Sequence, residues 1–293
     1  MKKAILFGSN GYLGRHLACF LTQNNIDFIP VDIADTSIDH YENYRCIDIT
    51  NNDQLKQLDF HVDYVFAFAG LTGTGISPEM EVKFNMVNEL GLANVLGHCK
   101  TINKLRVIFP STRLVYKGIK NMPLSEESEK EKLTVYAKNK LFCEELLKKS
   151  GINHTVFRIC VPYGNLFDEQ YSYGTIGFFL NKAKSKENIS IYGDGSLRRT
   201  FTHVADICSV ILQAIQMEET NNNVYNIGGN DVLSLLEVAN LVALKYNVAV
   251  EHVDWPEEAF KIESGDTIFD DTRLQHIINY TYKNRLKDWI NTL

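Results

Sequence analysis

Several features are scarce in this chain of 293 residues, and each scarcity narrows what it can be. No two of its six cysteines form a C-x-x-C pair. Cys19, Cys46, Cys99, Cys143, Cys160 and Cys208 lie far apart, mostly inside apolar runs, which predicts free buried thiols rather than disulfides or metal ligands. His98 and His154 have no partner at metal-ligand spacing, so no metal site is expected. There is no basic block. Thirty lysines and arginines against 36 acidic residues leave a net charge of −6, which argues against nucleic acid or an anionic membrane as the main partner. No apolar run approaches the length that spans a bilayer, and the N-terminus enters a strand-like run at once, without a signal-peptide pattern. The expectation is a cytoplasmic protein. Prolines number only six, and no Pro/Gly-rich linker, internal repeat or low-complexity stretch divides the chain. What remains, 45% hydrophobic and 23% charged, is ordinary for a globular enzyme.

The most informative stretch is the first. The apolar run Ala4-Ile5-Leu6-Phe7 is followed at once by Gly8-Ser9-Asn10-Gly11-Tyr12-Leu13-Gly14, with three glycines at three-residue spacing. Leu13, Leu17, Phe20 and Leu21 then carry helical periodicity. This is a buried strand, a tight turn and a helix opening. Glycines let a backbone approach a ligand without an intervening Cβ. The helix N-terminus offers free N–H groups and a positive dipole end to a pyrophosphate. Asp32 ends a second apolar run, just before Ile33, where a carboxylate suits adenosine ribose hydroxyls. NAD(H) is the expected cofactor. Arg15, just inside the helix, keeps NADP(H) open because its guanidinium could reach a 2′-phosphate.

Strand and helix alternate through the first half. Arg45-Cys46-Ile47 suggests a short strand, and Thr50 is placed to cap a short helix through Leu58. Tyr64 to Gly70 is near-continuously apolar, as in a strand buried on both faces of a parallel sheet. Helices are expected over 79–99 and 134–149, with strands over 105–109 and 155–159. This order predicts an α/β fold, a Rossmann-type doubly wound parallel sheet with right-handed crossovers. After Gly164 the alternation fades, then resumes with a helix near 206–218 and a strand over 224–228. The expected division is a cofactor-binding domain of residues 1–163 and 201–229, with a smaller C-terminal substrate lobe from 164–200 and 230–293. Glu126, Glu127, Glu129 and Glu131 fall in a lysine-rich loop expected to be a solvated lid.

Two further places carry chemistry. Ser111-Thr112 closes a sheet strand at its carboxyl end, where open α/β sheets place ligands. Tyr136 and Lys140 are i and i+4 on a helix and share a face. A nearby ammonium favours a phenolate, so Lys140 is expected to lower the Tyr136 pKa and let it exchange a proton near neutral pH.

With these residues the chain resembles an extended short-chain dehydrogenase/reductase of the NAD-dependent epimerase/dehydratase family, whose usual substrates are nucleotide-activated sugars. Gly8, Gly11 and Gly14 resemble its cofactor turn, with Asn10, Tyr12 and Leu13 between them. Asp48-Ile49 resembles its adenine-contacting pair, and Phe68-Ala69-Gly70 its fourth-strand end beside the cofactor. Asn88-x-x-Gly91-x-x-Asn94 resembles a conserved helix motif of that family and adds Asn88 to the implied cofactor contacts. Ser111-Thr112-Arg113-Leu114-Val115-Tyr116 resembles its catalytic strand end. The resemblance implies Thr112, Tyr136 and Lys140 as the catalytic residues, the last two also touching cofactor. It implies Thr112, Arg113, Tyr163 and Arg199 as substrate contacts, with Arg199 on a nucleotide phosphate. His203 fills a position read as structural. The helices at 79–99 and 134–149 resemble those that pair as a dimer interface, so a homodimer is expected.

Departures matter too. Val161 stands where a substrate-binding asparagine is usual, and Glu263-Ser264-Gly265-Asp266 lacks the arginine of the usual R-x-G-D, for which Lys261 is a stand-in candidate. Arg113-Leu114 occupies the place of the Asp-Glu pair of 4,6-dehydratases, and Leu114 that of the decarboxylases' glutamate. Neither elimination nor decarboxylation is therefore expected. Three readings remain. The first, and the expected one, is a 4-ketoreductase of a nucleotide-linked 4-keto-6-deoxy sugar, with Tyr136 as proton donor. The second is a nucleotide-sugar 4-epimerase with tightly bound NAD. The third, disfavoured by the intact Thr112, Tyr136 and Lys140, is a non-catalytic cofactor-binding regulator.

Overall fold

The apolar runs Ala4–Phe7 and Tyr64–Ala67 are buried along their whole length because they lie side by side within a seven-stranded parallel sheet. The computed structural model describes residues 1–74, 77–167 and 171–293. In chain order the first elements are β1 (Lys3–Phe7), α1 (Tyr12–Gln23), β2 (Asp27–Asp32), β3 (Arg45–Cys46), α2 (Asn52–Leu55), β4 (Tyr64–Ala67) and α3 (Pro78–Phe84). A π-helical turn (Asn85–Leu90) joins α3 to α4 (Gly91–Cys99). There follow β5 (Arg106–Thr112), β6 (Pro123–Leu124), α5 (Val135–Ser150), β7 (Asn153–Ile159), β8 (Val161–Tyr163), α6 (Gly174–Lys184) and β9 (Ile189–Tyr192). Next come β10 (Arg198–His203), α7 (Val204–Ala214), β11 (Asn223–Ile227), β12 (Asp231–Ser234) and α8 (Leu235–Tyr246). The chain ends with β13 (Val250–Val253), α9 (Glu257–Lys261), β14 (Ile268–Phe269), α10 (Thr272–Ile278) and α11 (Leu286–Thr292).

The central sheet runs β11-β7-β5-β4-β1-β2-β3. Strand order therefore reverses between β1 and β4, and a crevice opens outside their carboxyl ends. One face is covered by α1, α7 and α10 through Leu17, Leu21, Ile207, Ile211, Leu274 and Ile278. The other is covered by α2, α4 and α5 through Leu55, Leu92, Leu96, Cys143 and Leu147. This is the expected doubly wound α/β architecture. A third core, built by α6, α8 and α11 around Phe179, Leu180, Val242 and Ile290, underlies β9 and the sheet β12-β10-β8. Within the tail, α10 packs with the central sheet rather than with this third core.

Local details depart from expectation in instructive ways. Helix α2 is capped by Asn51, whose Oδ1 accepts from the Asp53 and Gln54 N–H groups, and not by Thr50. The Thr50 hydroxyl instead donates to Asp48 Oδ1 at 2.8 Å. Cys46 is exposed, because β3 is a two-residue edge strand, whereas Cys99, Cys143, Cys160 and Cys208 are buried free thiols. Glu126 is not part of a solvated lid. It is buried, and its Oε1 accepts the Asn226 N–H at 2.8 Å while its carbonyl accepts from Arg158. His203 caps α7, its Nδ1 accepting the Ala205 N–H. No helix among the described residues is long and apolar enough to cross a membrane, and none of their His, Cys, Asp and Glu side chains cluster as a metal site.

Candidate active site

The glycine turn sits at the reversal point of the sheet. Gly8 has φ +81°, and a Cβ there would lie 2.6 Å from the Ala69 nitrogen. A Cβ on Gly14 would lie 1.9 Å from the Gly8 carbonyl oxygen. Both contacts require glycine, and together they draw α1 tight under the turn and the turn tight against the end of β4. The first helical bond runs from Arg15 N–H to Gly11 O, so the N–H groups of Tyr12, Leu13 and Gly14 precede the ladder. The Ser9 hydroxyl oxygen is buried with no partner among the described residues. A cradle of glycine backbone, unsatisfied donors and a helix N-terminus fits a dinucleotide pyrophosphate.

Asp32 stands at the end of β2 beside this cradle. Its Oδ2 accepts the Asn10 N–H at 2.9 Å and its Oδ1 the Ile33 N–H at 2.8 Å, which fixes the carboxylate at the mouth of the cradle. Asn10 in turn ties down the following loop, donating to Thr36 O and accepting from Ile38 N. Arg15 does not face this mouth as an open cation. It forms a fork with Asp39, at 2.6 Å from Nη2, and lies over the Phe167 ring.

Three clefts follow one another along the carboxyl ends of the strands. The first, about 710 Å³, is lined by Gly8, Asn10, Gly11, Asp32, Ile33, Asp48, Ile49, Phe68, Ala69 and Gly70, among others. It shares Phe68, Gly70 and Leu71 with a second cleft of about 370 Å³, which holds Leu13, Thr112, Arg113, Tyr136, Lys140 and Arg199. That second cleft shares Arg113, Leu114, Gly174, Thr175 and Arg199 with a third of about 470 Å³, bounded by Phe178, Tyr192, Trp255 and Glu263. A further cleft of about 590 Å³ around Lys2, Asp63 and Arg106 opens at the amino ends of the strands, away from all these residues.

Not every expected residue lines a cleft. Asn88, in the π-helical turn, is buried behind the wall: its Oδ1 accepts Leu71 N–H at 2.7 Å and its Nδ2 donates to Leu71 O and to Asn139 Oδ1. Tyr12 stacks on Tyr173 at 4.1 Å and donates to Gly164 O, joining the glycine turn to the segment after β8. Tyr163 is fully buried in the third core. Lys261 is held by Glu257 and Glu258 on exposed α9 and does not reach Arg199, whose Nη2 pairs with Glu263 at 2.8 Å.

Tyr136 and Lys140 lie in the first turns of α5, started by the Thr134 hydroxyl accepting from Ala137 N–H. The expected electrostatics are reversed. Burial, reinforced by the neighbouring Tyr173, pushes the Tyr136 phenol well above its ordinary value. Burial also lowers Lys140 to about 8. The Lys140 Nζ donates to Pro110 O at 2.6 Å and sits 5.5 Å from the Tyr136 ring centroid. Without ligands, then, Tyr136 is a neutral proton donor, and the phenolate state needs positive charge brought in beside it. The Thr112 hydroxyl accepts Leu114 N–H at 3.3 Å at the end of β5, leaving its proton for a substrate oxygen.

Sequence reasoning missed the brace that sets this register. Glu144, one turn beyond Lys140, accepts from Ser111 Oγ at 2.5 Å and from both Nε and Nη2 of Arg158. It fixes α5 against the ends of β5 and β7. The i, i+4, i+8 series Tyr136, Lys140, Glu144 was the available signal.

A family model described as "NAD dependent epimerase/dehydratase family" matches residues 4–228. The chain is 28% identical over 257 residues to a UDP-N-acetyl-alpha-D-glucosaminuronate decarboxylase of Bacillus cytotoxicus, covering 81% of this chain and 78% of that one. It is 25% identical over 278 residues to UDP-glucose 4-epimerase of Pisum sativum, covering 81% and 79%. Among solved structures, UDP-glucuronic acid 4-epimerase of Bacillus cereus, in complex with UDP-glucuronic acid and NAD, superposes with a TM-score of 0.84 at 21% identity, covering 99% of this chain and 96% of the other.

Proposed function

The chain belongs to the NAD-dependent epimerase/dehydratase family of enzymes, and on that footing we propose that it acts as a nucleotide-sugar 4-epimerase, with NAD held through the catalytic cycle. What carries the reading is the meeting of Thr112, Tyr136 and Lys140 where the cofactor-side cleft joins the substrate-side cleft. Among the described residues that line the reaction cleft, none is Asp or Glu. Dehydration or decarboxylation in the family manner needs such a group, and Leu114 cannot supply it.

In this reading the glycine cradle and the N–H groups of Tyr12 to Gly14 hold the pyrophosphate, and Asp32 takes the ribose. Asp32 and Asp48 favour NAD(H) over NADP(H), and Arg15 is already engaged by Asp39. Bound nicotinamide supplies the hydride acceptor, and its positive charge in the oxidised state favours the Tyr136 phenolate. Thr112 donates to the C4 oxygen and orients it. Tyr136 takes the hydroxyl proton and later returns it. Lys140, donating to Pro110 O, keeps a positive charge under the ring. Arg199 holds substrate phosphate.

The 4-ketoreductase of a 4-keto-6-deoxy sugar is a second reading, favoured by apolar Val161 in the reaction cleft. Residues 1–163 and 201–229, with α10 packed against their sheet, are assigned to cofactor and the remainder to substrate. We place the enzyme in the cytoplasm as a homodimer, paired through the face bearing exposed Leu90 and Phe142. The test is to purify the protein, assay it for bound NAD, and incubate it with UDP-glucose and UDP-galactose without added cofactor. Interconversion supports the epimerase. No interconversion, with oxidation of NADH in the presence of a 4-keto-6-deoxy nucleotide sugar, supports the reductase.

A further inference from the structure

Tyr173 is the N-cap residue of α6, yet its side chain does no capping. Its backbone is fixed, the carbonyl accepting the Gly177 N–H at 3.0 Å. A Cβ on Gly177 would lie 2.1 Å from the Ser172 carbonyl carbon, so the first turn of α6 packs hard against the residues before it. The ring is fixed as well. It lies flat on Tyr12, with 4.1 Å between centroids and 11° between planes, and Tyr12 is itself anchored through its hydroxyl to Gly164 O. Tyr173 lines the second cleft together with Thr112 and Tyr136, close enough to Tyr136 to reinforce the rise of that phenol's pKa. The Tyr173 hydroxyl forms no hydrogen bond with any described residue. Burial raises its own pKa, so at neutral pH it keeps its proton and is a donor. A phenol withdrawn from water ordinarily has a hydrogen-bond partner.

We propose that Tyr173 is a specificity-determining residue, whose hydroxyl donates to a sugar hydroxyl flanking the reacting position, O3 or O6 of a hexose. The proposal deepens the functional reading above and rests on it for the sugar and for C4 as the reacting carbon. In that reading Thr112 and Tyr136 take the C4 oxygen, so a third hydroxyl in the same cleft meets a neighbouring one. The oxygens that flank O4 on a hexose are O3 and O6. With backbone and ring already held, the contact forms with little further ordering. A site built around such a bond discriminates against the analogue that lacks the oxygen.

The test is titration calorimetry of the wild type and of Tyr173→Phe, which removes the oxygen and keeps the stack on Tyr12. Both are loaded with NADH, to which a sugar alcohol cannot pass a hydride. UDP-, dTDP-, GDP- and CDP-glucose are titrated first. The tightest-binding nucleotide is then carried forward as the nucleoside diphosphate alone and as its glucose, 3-deoxyglucose and 6-deoxyglucose conjugates. NADH titration and thermal melting check the fold. Tyr173→Phe should bind the glucose conjugate roughly 3–10-fold more weakly, as for one neutral hydrogen bond, with affinity for NADH and the nucleoside diphosphate unchanged. The wild type should bind one deoxy conjugate more weakly by the same factor, and with that conjugate the difference between the two proteins should vanish. Its vanishing with the 3-deoxy sugar assigns Tyr173 to O3, and with the 6-deoxy sugar to O6. Equal affinities of the two proteins for the glucose conjugate overturn the proposal. So does a difference that persists with both deoxy sugars or extends to the nucleoside diphosphate, or a wild type that binds none of the four conjugates. The expected binding pattern without turnover of NAD-loaded enzyme defeats the proposed reaction alone, and equal affinities with full turnover defeat this proposal alone.

Discussion

At the residue scale the governing fact is the price of burying charge. Lys140 is 8% exposed and its pKa falls from an ordinary 10.5 to about 8. A depressed lysine pKa means that the unfolded chain binds more protons than the folded one between about pH 8 and 10.5. Stability therefore rises with pH across that window, and the cost of the buried ammonium is borne in full below it. Lys140→Met should melt higher than the wild type at pH 7 in the absence of ligand, with the advantage gone near pH 10.5, while losing turnover. Thermal melts at the two pH values check this, and a variant less stable than wild type at pH 7 would show that the hydrogen bond to Pro110 O outweighs desolvation. The same burial explains why the charge state of Tyr136 was not legible in the sequence. The i, i+4 spacing gave the pairing with Lys140 correctly, but the pKa depends on Tyr173 and on walls contributed by distant segments.

At the scale of elements, what the sequence declared was mostly local. The β1 turn with its glycines and the nearby Asp32 form one local signal, and the structure brings Gly8, Gly11 and Asp32 to one cleft. Long-range partners were hidden. Glu126 looked like surface in a charged loop, yet it receives the Asn226 N–H from a strand end 100 residues away. Arg158 and Glu144 lie on neighbouring elements and meet only once β5, β7 and α5 pack. Their pair is buried, at 5% and 8% exposure, and couples the helix of Tyr136 to the strand of Thr112 through Ser111. Arg158→Met should cost about 3–5 kcal/mol, because it strands the Glu144 carboxylate in the interior. Denaturant unfolding measures it. A cost under about 1 kcal/mol, the range of an exposed pair, would mean the brace is not what holds the register.

At the scale of the whole molecule, an acidic cleft lined by Asp32 and Asp48 and a basic one lined by Arg113 and Arg199 meet near Phe68 and Gly70, and the proposed reaction is assigned to Thr112, Tyr136 and Lys140 in the second. Sedimentation should give a dimer, and Phe142→Glu, which places a charge on an exposed apolar side chain of α5, should give a monomer. The measurement that bears most directly on the account is stopped-flow absorbance of the NAD-loaded enzyme mixed with UDP-, dTDP-, GDP- and CDP-linked hexoses. With the sugar it accepts, the wild type should show a burst of reduced nicotinamide that slows when C4 carries deuterium. Tyr136→Phe should bind NAD as before and lose the burst rate by roughly 10²–10⁴-fold. An undiminished burst in Tyr136→Phe, or no reduction of bound NAD with any of the four nucleotides, would contradict it.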